Sequence, residues 1–329
     1  MQNQLVRSIF TTLARIFTWL ITFLIPGRNS RTLTVECRNK CNIMNLVLGM
    51  KNFMAPDGST PLQSIVEQCY ALGDFPALWA VEGAGKDLAE WHMARNPAPT
   101  RMLIDAPLDP KWNKSLLMLH AGIGLAFTRY FMEPLKPTCS KEELRRAVLG
   151  TIELCRKNSR PGYGGAAVEA FGMATRFLHD AAFYRRVHEV LVELAPDCVP
   201  LLWRGCGRAV YFSPKNFMPG FAKPCRAIAM CNEEAPDEQC RQALLSGVAW
   251  AITLVNMETP EVMEWILANR DDYFADNPGF PTGVASAIVM RNDTTPGFPL
   301  IDRFRNHRPS DPHIADLWEK SVKAPWTLR

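Results

Sequence analysis

Short apolar stretches rich in Gly and Ala recur along the chain, separated by more polar segments that carry helix-start signals. The clearest pair is Ala80-Val81-Glu82-Gly83-Ala84-Gly85 and Ala167-Val168-Glu169-Ala170-Phe171-Gly172. In both copies a histidine, His92 or His179, follows the glutamate by ten residues, and the copies lie 87 residues apart. Weaker relatives are Ala121-Gly122-Ile123-Gly124, Arg204-Gly205-Cys206-Gly207-Arg208-Ala209, Ser246-Gly247-Val248-Ala249-Trp250-Ala251 and Thr282-Gly283-Val284-Ala285-Ser286-Ala287. Their anchors, near positions 83, 122, 170, 205, 247 and 283, are spaced by 35 to 48 residues. Such a period predicts a helical repeat, one helix pair per unit.

The polar segments between these stretches supply the second helix of each pair. Ser140-Lys141-Glu142-Glu143 is a capping box, and Thr259-Pro260 and Asp311-Pro312 each set a cap before a first-turn proline. Gly costs a helix interior roughly 1 kcal/mol relative to Ala, so its recurrence implies backbones in close approach. The small-residue segments are therefore expected to form an inner layer and the capped polar helices an outer one. The predicted class is all-α, about six helix-pair repeats forming an α/α toroid or solenoid. A competing reading makes Gly247 to Asn256 and Gly283 to Met290 buried strands, because Val, Ile and Trp are common in them.

No Gly/Ser linker or charge block divides the chain. The Pro-rich stretches from Asn96 to Pro110 and from Ser213 to Pro224 are expected to be connections within the array. Residues 51–329 are taken as a single repeat domain, and 1–50 as an apolar N-terminal helix with its linker. Leu5 to Ile25 carries Arg7 and Arg15, and its uninterrupted apolar part falls short of the ~20 residues that span a bilayer. Ile25-Pro26-Gly27-Arg28 offers no small-residue cleavage site. Two readings stand: a helix lying against a membrane surface or a synthase partner, or a first helix packed on the domain's own core.

Composition narrows the class. At 329 residues and 47% hydrophobic content the chain can build a sizeable core. Its 37 basic and 33 acidic residues nearly balance, without the basic stripe of a nucleic-acid binder. Ten cysteines are dispersed through apolar stretches and show no paired C-x-x-C spacing, which favours reduced thiols in a cytoplasmic protein over a disulfide framework or a zinc site. No cofactor and no metal are expected.

Candidate chemistry sits in the inner segments. A carboxylate in an apolar layer is costly unless paired or protonated, so Glu82 and Glu169 are the first candidates for acid/base work, with His120 as a third. The bland alternative is that each carboxylate satisfies an arginine, and Arg204 or Arg208 is the natural partner for Glu169. Arg208 is also the candidate for holding a substrate's polar end. Tyr163 and Tyr211 are candidate hydroxyl donors, and Trp203, Trp250 and Phe127 candidate aromatic walls. There is no Gly-x-Ser-x-Gly elbow, no phosphate loop and no His-Glu-x-x-His helix. Asp271-Asp272-Tyr273-Phe274-Ala275-Asp276 has the look of a magnesium-diphosphate cluster but lacks a second metal motif.

From Ala80 to about Pro296 the chain resembles a bacterial family of unknown function known from enediyne polyketide gene clusters and related biosynthetic loci. The residues that carry the resemblance are Val81-Glu82-Gly83-Ala84, His120-Ala121-Gly122-Ile123-Gly124, Gly162-Tyr163-Gly164 followed by Glu169, Gly205-Cys206-Gly207-Arg208, and Ser246-Gly247-Val248-Ala249. One departure stands out: Val168 precedes Glu169, where the family is expected to have a histidine. The resemblance implies a role in specialised metabolism and leaves the reaction open. The expected function is an acid/base cyclase or isomerase, similar to terpene cyclases, acting on an apolar polyene or terpenoid-like intermediate. The alternative is a noncatalytic accessory protein that escorts such an intermediate.

Overall fold

The computed structural model describes residues 16, 28–49, 60–213, 216, 226–269 and 277–327. Among them the chain is all-helical, without strands. In chain order the helices are α1 (Arg28–Gly49), α2 (Leu62–Tyr70), α3 (Asp74–Met93), α4 (Leu116–Met132), α5 (Lys141–Asn158), α6 (Gly164–Leu178) and α7 (Ala181–Leu194). They continue as α8 (Val199–Tyr211), α9 (Arg226–Glu234), α10 (Glu238–Asn256), α11 (Pro260–Asn269), α12 (Gly279–Thr294), α13 (Pro299–Arg305) and α14 (Pro312–Trp318). A π-helical turn, Glu319–Lys323, extends α14. The segments from Gly247 and from Gly283 lie within α10 and α12, which removes the strand reading.

The helix starts follow the local signals. Ser140 caps α5 through a complete capping box with Glu143, and Asp311 accepts from the backbone N–H groups of His313 and Ile314 ahead of α14. Asp180 and Asp237 cap α7 and α10 in the same way.

The six small-residue segments form α3, α4, α6, α8, α10 and α12, and each of these helices packs against the next in that order. The glycines explain how closely. A Cβ placed on Gly122, Gly205, Gly247 or Gly283 would overlap the carbonyl oxygen of Glu82, Glu169, Arg204 or Ser246 on the preceding helix of the series. Gly85, Gly172 and Gly207 meet the carbonyls of Leu119, Leu202 and Leu244 in return. Backbones at this range gain dispersion and Cα–H···O contacts that any larger side chain would forbid.

The helices of this series run parallel. Gly279 lies against Gln242 and Gly283 against Ser246. Gly124 lies against Ala167, while the His179 Nε2–H, farther along, donates to the Met132 carbonyl. Gly247 meets Arg204, and Asn256 bonds Tyr211. Glu90–Arg129 with Glu82–Gly122, and Gly165–Leu201 with Glu169–Gly205, give the same sense for α3–α4 and α6–α8. Each return is therefore made by the intervening segment, which in the last four cases holds α5, α7, α9 or α11.

α1 packs on α3, α10 and α11 rather than standing apart from the body. Its inward face buries Cys37, Cys41 and Ile43 together with polar groups: Tyr211 donates to Glu36 at 2.8 Å, Asn39 donates to Asn256 and Thr259 at 3.0 and 2.8 Å, and the Lys40 ammonium lies 3.9 Å from the Tyr211 ring centre. Leu5 to Ile25 lies outside the described residues except for Ile16, which is exposed, and Asp271 to Asp276 lies outside them altogether. No helix among the described residues is long and apolar enough to cross a membrane. No disulfide joins the described cysteines, most of which are buried.

Candidate functional site

The six helices of the series bring one set of side chains together, and their register explains which. The residues just before the six anchors are Glu82, Ala121, Glu169, Arg204, Ser246 and Thr282, and one helical turn further on lie Arg208, Trp250 and Ser286. A cavity of about 250 Å³ opens among five of these helices. Its wall is apolar, formed by Leu117, Met118 and Ala121 of α4, Leu201 of α8, and Val289 and Met290 of α12. Its floor is polar, formed by Glu169 of α6, Arg204 and Arg208 of α8, Trp250 of α10 and Ser286 of α12.

Glu169 and Arg208 are both buried and form an ion pair through Glu169 Oε1 and Arg208 Nη2. Arg204 Nε lies 3.4 Å from the same oxygen, and Arg204 also donates to the Ser286 hydroxyl. The Arg208 guanidinium sits 3.5 Å from the Trp250 ring centre, a cation–π contact made in a desolvated place. Burial lowers Arg208 from its ordinary value, and the Glu169 charge opposes that fall. The geometry leaves polar atoms over: Glu169 Oε1, Arg204 Nε, Arg208 Nε and Trp250 Nε1 are buried without an aligned hydrogen bond. Such groups are costly unless something satisfies them.

Glu82 of α3 is 9% exposed. No hydrogen bond or ion pair joins its carboxyl to a described residue. Burial raises it to about 7, the Arg208 charge working against the rise and the Glu169 charge with it. Glu82 is not part of the cavity lining but lies within electrostatic reach of Arg208 and Glu169. The structure thus brings together Glu82, Glu169, Arg208 and Trp250 of the residues expected from sequence.

The others are elsewhere. His120 is fully buried, and its ring is committed on both sides: Nδ1–H donates to the Leu116 carbonyl at 2.6 Å, and Nε2 accepts the Arg160 backbone N–H at 3.0 Å. That bonding sets the neutral tautomer, and burial lowers the imidazole to about 4. Neither nitrogen is left for a proton relay with the glutamates. Tyr163 stacks on the His120 ring at 5.0 Å. Trp203 donates to His188 at 3.1 Å and packs edge-on against Tyr184, toward α7. Tyr211 anchors α1, and Phe127 is core. Tyr163, Trp203, Tyr211 and Phe127 therefore make no part of the cavity lining. Among the described residues no three His, Cys, Asp or Glu side chains converge at metal-binding distance.

Comparison with family models, with curated proteins and with solved structures gives no match. The site is accordingly read from its own chemistry. Sequence reasoning had no reason to choose Ser286 or the apolar wall of α4 and α12. The one signal that reaches Ser286 is the register, since it stands at the same offset from its anchor as Arg208 and Trp250.

Proposed function

We propose that the six-helix series closes into an α/α toroid and that its centre is the active site of an acid/base enzyme, an isomerase or cyclase. The contact of α12 with α4 and the hydrogen bonds from Arg291 of α12 to the Phe75 carbonyl of α3, both 3.2 Å, support closure, since they join the end of the series to its beginning. The substrate is a largely apolar intermediate of specialised metabolism, as the sequence resemblance implies, and the protein is placed in the cytoplasm. Contact with a membrane surface or a synthase through Leu5 to Ile25 belongs to the same reading.

The single observation that carries the enzyme reading is an ion pair lining the cavity with a second buried carboxyl, Glu82, raised to about 7 within electrostatic reach of that pair. In this scheme Glu82 is the proton donor, because a group with a pKa close to the working pH gives and regains a proton at least cost. Glu169 receives the proton lost from the reacting skeleton, and Arg208 and Arg204 hold the substrate's polar end. One proton is given and one taken, so an isomerisation balances without a co-reactant.

The escort reading draws on a different observation: the ion pair lines the cavity and Glu82 does not. Incubation with polyene and terpenoid intermediates in D2O separates the two. Acid/base chemistry puts deuterium into carbon positions of a bound compound, read by mass spectrometry, and Glu82→Gln lowers the rate by about 100-fold or more with binding kept. A compound that binds wild type and acquires no deuterium makes the protein a carrier.

A further inference from the structure

The unused polar atoms of the floor specify the kind of group that belongs there. Four of them are buried without aligned partners, and three are N–H donors: Arg204 Nε, Arg208 Nε and Trp250 Nε1. Arg208 and Trp250 are 5% and 3% exposed, so water reaches them poorly. Donors in such a place select an acceptor-rich ligand group, because an apolar ligand would leave all three unsatisfied.

Charge decides which acceptor. The floor carries the two guanidinium groups of Arg204 and Arg208 against the one carboxylate of Glu169 with which both are paired. One positive charge is left over. With Glu82 protonated, a singly charged carboxylate neutralises it, whereas a phosphate dianion would bring a second negative charge beside Glu169. Arg208, its guanidinium carbon 3.5 Å from the Trp250 ring centre, lines the cavity beside Arg204, and guanidinium groups bind carboxylates through charge-assisted hydrogen bonds. Above the floor the wall is aliphatic, with Leu117 and Met118 on one side and Val289 and Met290 on the other, and the space is small at about 250 Å³.

We propose that the central cavity is a carboxylate-binding site, in which Arg204, Arg208 and Trp250 take the carboxylate and the aliphatic wall takes a short hydrocarbon chain. This deepens the reading of the cavity as a substrate site, and it names the substrate's polar end as a carboxylate. Trp250 joins Arg204 and Arg208 as a binding residue under this assignment, and Glu169, the proton acceptor of the proposed reaction, also holds both arginines in place.

The test is calorimetric titration of the full chain with butyrate, hexanoate and octanoate, with octan-1-ol and inorganic phosphate as comparison ligands. The expected result is binding of at least one carboxylate ten-fold or more tighter than octan-1-ol and phosphate, weakened at least ten-fold in Arg204→Gln. Arg204 is partly exposed at its side chain, so that variant is expected to fold, which circular dichroism checks. Leu117→Trp, a half-buried wall position, provides a second variant that leaves the charges in place and plugs the chain-binding part, with octanoate binding lost. Equal affinity for octanoate and octan-1-ol overturns the carboxylate assignment while leaving the acid/base reading to its deuterium test. Phosphate binding tighter than every carboxylate overturns it in favour of a phosphate site. Absence of binding by all three carboxylates also overturns it, while the acid/base reading stands or falls on deuterium incorporation into the polyene and terpenoid compounds.

Discussion

Glu82 carries the sharpest consequence at the scale of single residues. Its carboxyl is raised from 4.5 to about 7 in the folded protein by burial. Between those two pH values the unfolded chain has lost this proton and the folded chain keeps it, so rising pH favours unfolding. Glu82 alone makes the protein less stable as pH climbs from about 4.5 to 7, by an amount bounded at roughly 3 kcal/mol. Glu82→Gln is expected to flatten that part of the profile in urea titrations at several pH values. An unchanged slope in the variant would show that the group does not titrate there. The Glu169–Arg208 pair predicts a second, opposite pattern. Arg208→Met leaves a buried carboxylate without its main partner and should cost about 3–5 kcal/mol, while adding Glu169→Gln to it should recover much of the loss. Equal losses in the single and double variants would mean that the pair is not coupled.

Elements of this protein are held by backbone proximity as much as by side-chain burial. Gly205 shows the balance of effects: replacing Gly by Ala inside a helix ordinarily stabilises by up to about 1 kcal/mol, yet here the added methyl would overlap the Glu169 carbonyl of the neighbouring helix. Overpacking of that kind costs typically 1–3 kcal/mol, and backbone on the other side leaves little to give way. Gly205→Ala is therefore expected to destabilise, whereas Gly164→Ala, whose nearest neighbour would be Ser159 Cβ at 3.8 Å, is expected to be neutral or stabilising. Thermal melts of the two variants check the sign of each. The same logic explains why the glycines of α4, α8, α10 and α12 meet backbone of a neighbouring helix, while Gly150 of the outer helix α5 meets only the Phe131 side chain.

For the whole molecule the question is how the end of the helix series meets its beginning. Arg291 is 2% exposed, and besides the Phe75 carbonyl its guanidinium faces the rings of Phe298 and Phe75 at 4.7 and 5.1 Å. Tyr70 adds a bond to the Thr294 carbonyl at 2.9 Å. Arg291→Ala is expected to speed amide exchange in α3 and α12 together, since its two hydrogen bonds tie the one helix to the other. Faster exchange confined to α12 would mean that the two ends are independent. Tyr211→Phe tests the seating of α1: losing the bond to Glu36 should cost about 1–3 kcal/mol, because Glu36 stays buried beside Lys40.

What the chain's own order of residues determined is the helical class, the anchor spacing, the cap at Ser140 and the choice of Glu82, Glu169, Arg208 and Trp250. These were legible because they follow from local periodicity and from the cost of placing a charge or a glycine in an apolar helix. His120, Tyr163, Trp203, Tyr211 and Phe127 have the same composition of surroundings in sequence, yet they serve the core or its connections. Which way a side chain faces depends on the neighbour its helix meets, and here the neighbours lie 35 to 48 residues away along the chain. Only the tertiary structure decided that Arg204 and Ser286 would meet across α10, that α1 would cap a buried tyrosine, and that a small polar-floored cavity would form where the helices meet. Each of these is a contact between residues that no local rule couples.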